Sequence, residues 1–132
     1  MLRILFTFCI FAPENNFFMA TKGFEFVMLE EAKSFVLGLQ ASAMKKVLYN
    51  VQRIAGGEQN AELFKKLDGT DIWEFRTLFN GIQYRLFAFW DTKANTLVIA
   101  THGIVKKTQK TPKKEIVKAE KIRKHYFEHK KE

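Results

Sequence analysis

Apolar residues fall at every second position from Phe24 to Met28, with Glu25 and Val27 between them. That is the period of a short strand. From Glu30 the period changes: Ala32, Phe35, Val36 and Leu39 stand at i, i+3, i+4 and i+7 and mark one face of a helix over 30–39, with Gly38 near its end. A second stripe, Met44, Val47, Leu48, Val51 and Ala55, predicts a helix over 42–55. It turns Lys45, Lys46, Gln52 and Arg53 outward and stops at Gly56-Gly57. So few residues separate the two helices that they should form an antiparallel hairpin. A polar stretch over 58–70 then runs through Phe64-Lys65-Lys66-Leu67 to the turn pair Asp68-Gly69.

The segment 72–86, IWEFRTLFNGIQYRL, holds Asn80-Gly81 between two aromatic-rich runs. This is the strongest short-range signal for a β-hairpin. A two-residue turn pairs Phe79 with Ile82, Leu78 with Gln83, Thr77 with Tyr84, and Arg76 with Arg85. The run from Ile82 to Asp91 is apolar on both faces, as for a central strand covered on each side. Residues 91–96 read as a turn, and Leu97 to Val105 as a further strand in which Gly103 marks a bulge or a close approach. A basic loop, KKTQKTPKK over 106–114, leads into a last helix with Thr111 as cap and Pro112 in its first turn. That helix runs to about His129, with Ala119, Ile122 and Tyr126 on its apolar side. The order β-α-α-β-β-β-α gives an α+β fold: a small antiparallel meander with an N-terminal αα-hairpin and a C-terminal helix. The helices are expected on one sheet face, with the other partly open.

The stretch before this pattern has three readings. LRILFTFCIFAP carries Arg3, a short apolar run and Pro13, somewhat like a signal sequence, but has no convincing small-x-small cleavage site. It is too short to cross a bilayer as a helix. The preferred reading is that 1–18 form an upstream extension and 19–132 a single domain, since the globular pattern begins cleanly after Met19; an extra packed strand is the third. At 132 residues with 47% hydrophobic content and 14 phenylalanines, the chain is long and apolar enough for one real core. A lone Cys9 rules out an intrachain disulfide and fits a reducing, cytoplasmic setting. No His/Cys grouping has metal-ligand spacing, so neither metal nor cofactor is expected. The formal charge of +8 points to a polyanionic partner, nucleic acid or an acidic protein segment, or else serves solubility alone; no membrane partner is expected.

The candidate chemistry follows from the hairpin register. Like charges directly opposite each other destabilise a sheet, so a facing Arg76 and Arg85 need a reason. Glu74, on the same face, supplies a structural one: an ion-pair network that satisfies both charges. A phosphate supplies a functional one, because guanidinium forks match its oxygens and do not lose their protons. The two are compatible if Glu74 holds one arginine while the other faces substrate. Lys106, Lys107, Lys110, Lys113 and Lys114 form a basic loop that reads as a solvated run or as a tracker of a phosphate backbone, and Lys65 and Lys66 extend the same rim. His102, at a strand end, is either a hydrogen-bonded core residue or a reserve base.

FKKLDGTDIWEFRTLFNGIQYRLFAFW, followed by HGIVKKTQKTPKKEI, closely resembles the phage-derived toxin-like branch of the RelE/HigB superfamily. The resemblance covers roughly Phe24 to Tyr126. It implies a RelE-like fold and the toxin of a type II toxin–antitoxin pair, a metal-independent endoribonuclease that cuts mRNA on the ribosome. Arg76 resembles the arginine of the family's W-E-x-R segment, Arg85 that of its Tyr-Arg pair, and Lys107 and Lys110 the basic residues after the last strand. Some relatives place a tyrosine shortly after that basic segment; here Tyr126 comes much later, so the general base is left among Lys107, Lys110 and His102. The implied partner is an antitoxin with an acidic segment and a helix-turn-helix domain. Two other readings share the fold: a gyrase-inhibiting toxin, and an inactive protein that binds only antitoxin and operator.

Overall fold

A computed structural model describes residues 2–4, 23–91, 97–108 and 110–130. Within these residues six strands form one mixed sheet: β1 (Leu2–Ile4), β2 (Glu25–Met28), β3 (Phe64–Lys66), β4 (Trp73–Phe79), β5 (Ile82–Trp90) and β6 (Leu97–Lys106). Among the described residues three helices accompany them: α1 (Glu30–Leu37), α2 (Ala41–Ala55) and α3 (Lys113–Glu128). The sheet order is β1-β2-β6-β5-β4-β3. Strands β4 to β6 make the expected antiparallel meander, which β3 extends at the β4 edge, whereas β2 lies parallel to β6. The α+β class, the αα-hairpin and the C-terminal helix are as expected. β1 pairs antiparallel with β2 as an edge strand; of the stretch read as an extension, residues 1 and 5–18 lie outside the described residues, as do 92–96 of the turn before β6.

The layering differs from the expectation. α1 and α2 cover one face through Ala32, Val36, Val51 and Ile54, packed on Phe26, Phe75, Leu86 and Val98. α3 covers the opposite face, where its buried Ala119 meets Val27, Phe87, Phe89 and Ile99. The reason is in β5. All of Gln83 to Phe89 is buried, and a strand apolar on both sides needs a layer on each. β3 is an addition. Three residues with two lysines read as a polar stretch, but they pair with the start of β4 and occupy the sheet edge, where lysines discourage further pairing.

Local chemistry sets the boundaries. The hairpin turn has φ of 52° at Asn80 and 76° at Gly81, the left-handed pair that a two-residue type I′ turn requires. α1 stops at Leu37, two residues before the expected end, with Gly38 as its C-cap: Leu39 N–H bonds the i−3 carbonyl of Val36 at 3.2 Å and leaves the α-helical pattern. α2 is pinned to the sheet by Asn50, whose Nδ2 donates to Thr77 Oγ1 at 3.1 Å. In β6 a bulge opposite Phe87/Ala88 leaves Thr101 as the extra residue, since Phe87 pairs with His102 but Ala88 with Ala100. The bulge reverses the alternation. Before it, Ile99 faces α3; after it, His102 and Ile104 do. Gly103 is the close approach, not the bulge: a Cβ there would lie 2.3 Å from Phe35 Cδ2 of α1.

Candidate functional site

The turn at Asn80-Gly81 fixes the register that places Arg76 directly across from Arg85, on the face that α3 partly covers. The next row toward the sheet interior pairs Glu74 with Phe87, and the row toward the turn pairs Leu78 with Gln83. On the other side of β5, Gln83 faces Lys106 and Arg85 faces Ile104. Three cations and one carboxylate therefore share one patch of sheet.

Within it the two arginines are not equivalent. Arg85 is 1% exposed and Glu74 is 2% exposed. Arg85 Nη1 donates to Glu74 Oε1 at 3.0 Å, and its Nη2 donates to Gln83 Oε1 at 3.2 Å. Burial pushes the Arg85 guanidinium's pKa down, Glu74 pulls it back up, and Arg76 pushes it down again; an arginine keeps its proton through such shifts. The side chain of Arg76 is 23% exposed, and its Nε lies 3.6 Å from Glu74 Oε1. Glu74 Oε2 is taken by Thr111, whose hydroxyl donates to it at 2.6 Å. Glu74 thus holds Arg85 below the surface and leaves Arg76 nearer to it. The expected cap role of Thr111 is corrected: Pro112 is the N-cap of α3, and the Thr111 hydroxyl is committed to Glu74.

Lys106 is the residue whose role changes most. Its Nζ is buried and makes no hydrogen bond among the described residues. Burial lowers its pKa first, then the charge of Arg85; Glu74 offsets part of this, and Arg76 adds to it. A desolvated ammonium facing two guanidinium groups is the setting in which a lysine releases its proton more readily. Lys107 and Lys110, expected to be the reactive pair, are both exposed beyond the end of β6, and Lys113 and Lys114 are exposed in the first turn of α3. Lys65 is an exposed edge residue in register with Glu74, and Lys66 stands opposite Trp73, one position out of phase.

His102 lies one row inward, 1% exposed and stacked on Phe87 at 4.9 Å. Its Nδ1 is 3.0 Å from Thr101 Oγ1 and its Nε2 is 3.0 Å from Glu115 Oε1. Burial lowers its pKa, the Glu115 hydrogen bond opposes that, and Lys118 adds to the lowering. With both nitrogens engaged under α3, it has the geometry of the hydrogen-bonded core residue rather than of the reserve base. Sequence reasoning missed Gln83 and the inward turn of Lys106. The first is legible only once the register is known, the second only once the bulge is.

Chemically, the patch carries a surplus of positive charge of the kind that suits an anion: two guanidinium groups and one ammonium face a single carboxylate. Among the described residues there is no group of three or more His, Cys, Asp or Glu side chains that would hold a metal ion. Also among them, no helix is long and apolar enough to cross a membrane. No curated protein matches the chain. A family model described as "Phage derived protein Gp49-like (DUF891)" matches residues 34–124, from within α1 to within α3, and so takes in the whole arginine–lysine patch. The chain belongs to this phage-derived Gp49-like family.

Proposed function

We propose that the chain is the toxin of a type II toxin–antitoxin pair, of the RelE/HigB kind, acting as a metal-independent endoribonuclease on mRNA at the ribosome. The observation that supports this most is the patch itself: Arg76 across from Arg85, with a desolvated Lys106 beside them. RNA carries its own nucleophile. The 2′-oxygen attacks the adjacent phosphorus, the O2′–P bond forms, the P–O5′ bond breaks, and a 2′,3′-cyclic phosphate and a 5′-hydroxyl result. The protein orients the attack, stabilises the doubly charged phosphorane, takes the 2′ proton and returns one to O5′. In this reading Arg76 contacts the non-bridging oxygens, and Arg85 adds its charge from below while fixing the floor. Lys106, rather than Lys107 or Lys110, exchanges the proton. Those two, with Lys65, Lys66, Lys113 and Lys114, guide the flanking backbone by charge. The partner is an antitoxin whose acidic segment meets the same cations and whose helix-turn-helix domain binds the operator.

The test is expression without antitoxin, followed by growth measurement and mapping of mRNA 5′ ends. The expected result is growth arrest with codon-linked cuts that carry 5′-hydroxyls. Arg76→Ala should lower cleavage about a hundredfold, on the order of 3 kcal/mol for one transition-state cation. Arrest with DNA damage and no RNA cuts would make the protein a gyrase-type inhibitor. No arrest at all, with retained antitoxin and operator binding, would make it an inactive binding protein.

A further inference from the structure

α3 carries apolar residues that its core contact does not use. Ala119 and Tyr126 pack beneath the helix against Phe87, Phe89 and Ile99. Val117 is 52% exposed and Phe127 37%. With Ile116 these two line a groove of about 840 Å³ along the outside of α3, bounded by Thr70 of the loop before β4. Single apolar side chains on a surface are ordinary, whereas an apolar groove with a charged rim marks an interaction site.

The charges of the helix sort into two groups. Glu115 is taken by His102, Lys118 by Glu31, Arg123 by Asp71 and Glu120, and Lys130 by Asp91. Lys121 and Lys124 line the groove, are exposed, and pair with no carboxylate among the described residues. Lys114, exposed and one turn ahead of Val117, extends the same rim. The cations of Arg123 and Lys130 stand 5.4 Å and 5.9 Å from the centre of the Phe127 ring. Against them the groove sets Glu128, at the C-terminal end of the helix. Its floor is thus apolar at both ends, crossed by lysine stems, and its rim is positive. A phosphate backbone would need the rim alone. The apolar floor calls for an occupant with an apolar stripe of its own, and the rim for carboxylates beside that stripe. From Ile116 to Phe127 the groove runs about 16 Å, roughly three turns of a helix laid along it.

We propose that the outer face of α3 docks an acidic amphipathic helix of a partner protein, with the partner's apolar stripe on Val117 and Phe127 and its carboxylates on Lys121 and Lys124. None of the arginine–lysine patch lines this groove, and neither RNA nor cleavage enters its recognition.

The probes are three synthetic helical peptides of about four turns. The first has leucines at i, i+3, i+7 and i+10 flanked by glutamates, the second has lysines in place of the glutamates, and the third has alanines in place of the leucines. Each is labelled and titrated against the full chain by fluorescence anisotropy. The acidic leucine peptide should bind, and the other two should bind at least about tenfold more weakly. Val117→Asp should weaken the first about tenfold. Lys121→Glu with Lys124→Glu should do the same and should gain affinity for the lysine peptide, a swap that loss of fold would not produce. Thermal melting checks each variant. No binding of the acidic peptide, equal binding of the peptide without leucines, or a charge reversal that leaves the preference unchanged overturns the inference. So does a dimer of the unaltered chain in sedimentation that Val117→Asp dissolves, which would give the groove to a second copy. Loss of single-stranded RNA binding in the lysine variant, with the acidic peptide unbound, would give the rim to nucleic acid instead.

Discussion

Arg85→Ala is the natural test of an arginine clamp, and its first effect should be on stability rather than on chemistry. The side chain is 1% exposed and supplies the closest cation to Glu74, itself 2% exposed. Removing it leaves a carboxylate under the surface with the Thr111 hydroxyl and an Arg76 nitrogen 3.6 Å away. Breaking a buried ion pair from one side costs about 3–5 kcal/mol. For a domain of this length that corresponds to roughly 10–20 °C of melting temperature. Circular dichroism melts should show this for Arg85→Met as well, which keeps much of the volume and loses only the charge. The decisive variant is the double change Glu74→Gln with Arg85→Met. It removes both charges, keeps an acceptor for Thr111, and should melt well above Arg85→Met alone, because replacing a whole buried pair is often close to neutral. If Arg85→Met melts within about 1 kcal/mol of the unaltered protein, or the double change is no better than the single one, the buried pair is not what holds this corner together. Loss of toxicity in Arg85→Ala therefore assigns a role to Arg85 only in a variant shown to be folded, whereas Arg76→Ala, partly exposed, should cost at most about 1 kcal/mol.

Lys106→Met should remove the pH dependence of cleavage that a lysine with a lowered pKa imposes, whereas Lys107→Met and Lys110→Met should change only the salt dependence of binding; rates across a pH series distinguish them. Gly103→Ala should destabilise by about 1–3 kcal/mol, since its Cβ would meet the Phe35 ring at 2.3 Å, and Phe35→Leu should recover part of the loss in a denaturant titration. The folded-state pKa of His102 lies below its ordinary 6.5. Between those two values the unfolded chain binds the proton and the folded one does not, so stability is fully present above about 6.5 and falls as pH drops through that window, by at most about 1.4 kcal/mol per pH unit. Urea midpoints across that range should be flatter for His102→Gln. Tyr126→Phe should cost about 1–2 kcal/mol by withdrawing the hydroxyl that donates at 2.5 Å to Asp91 Oδ2, measured by thermal melting.

How much of the fold is legible in the sequence depends on whether a signal is local. Asn80-Gly81 carries its backbone geometry with it, so the whole register from Phe79/Ile82 to Arg76/Arg85 can be counted outward from the turn. The helical stripes of α1 and α2 are local in the same sense. The side on which α3 docks is not. Ala119 and Tyr126 show that the helix has an apolar side, but nothing within it says which face of the sheet receives that side. The information lies in β5, where Phe87 and Phe89 alternate with Leu86 and Ala88 and both sets need cover. β3 escapes for the opposite reason. Lys65 and Lys66 give no periodic signal, and the strand exists because β4 offers an unpaired edge.

The site divides along the same line. The facing arginines follow from the turn alone, but the lysine that joins them depends on a bulge elsewhere. Counted by simple alternation from Val98, which packs under α1 and α2, Lys106 would fall on the helical-hairpin face. The extra residue at Thr101 shifts the phase, and its hydroxyl accommodates the shift by donating to Phe87 O at 3.3 Å. After it, Gly103 turns toward Phe35 and Lys106 toward Arg85. Two features that look unrelated in the sequence are thus one device. The glycine is needed because the reversed phase points its position into α1, and the lysine is desolvated because the same reversal points its position into the arginine patch. Composition alone, with five lysines between 106 and 114, shows a basic loop but does not distinguish one lysine from another. Lys106 is set apart from the other four by burial beside like charge, and in this fold a single inserted residue supplies both conditions.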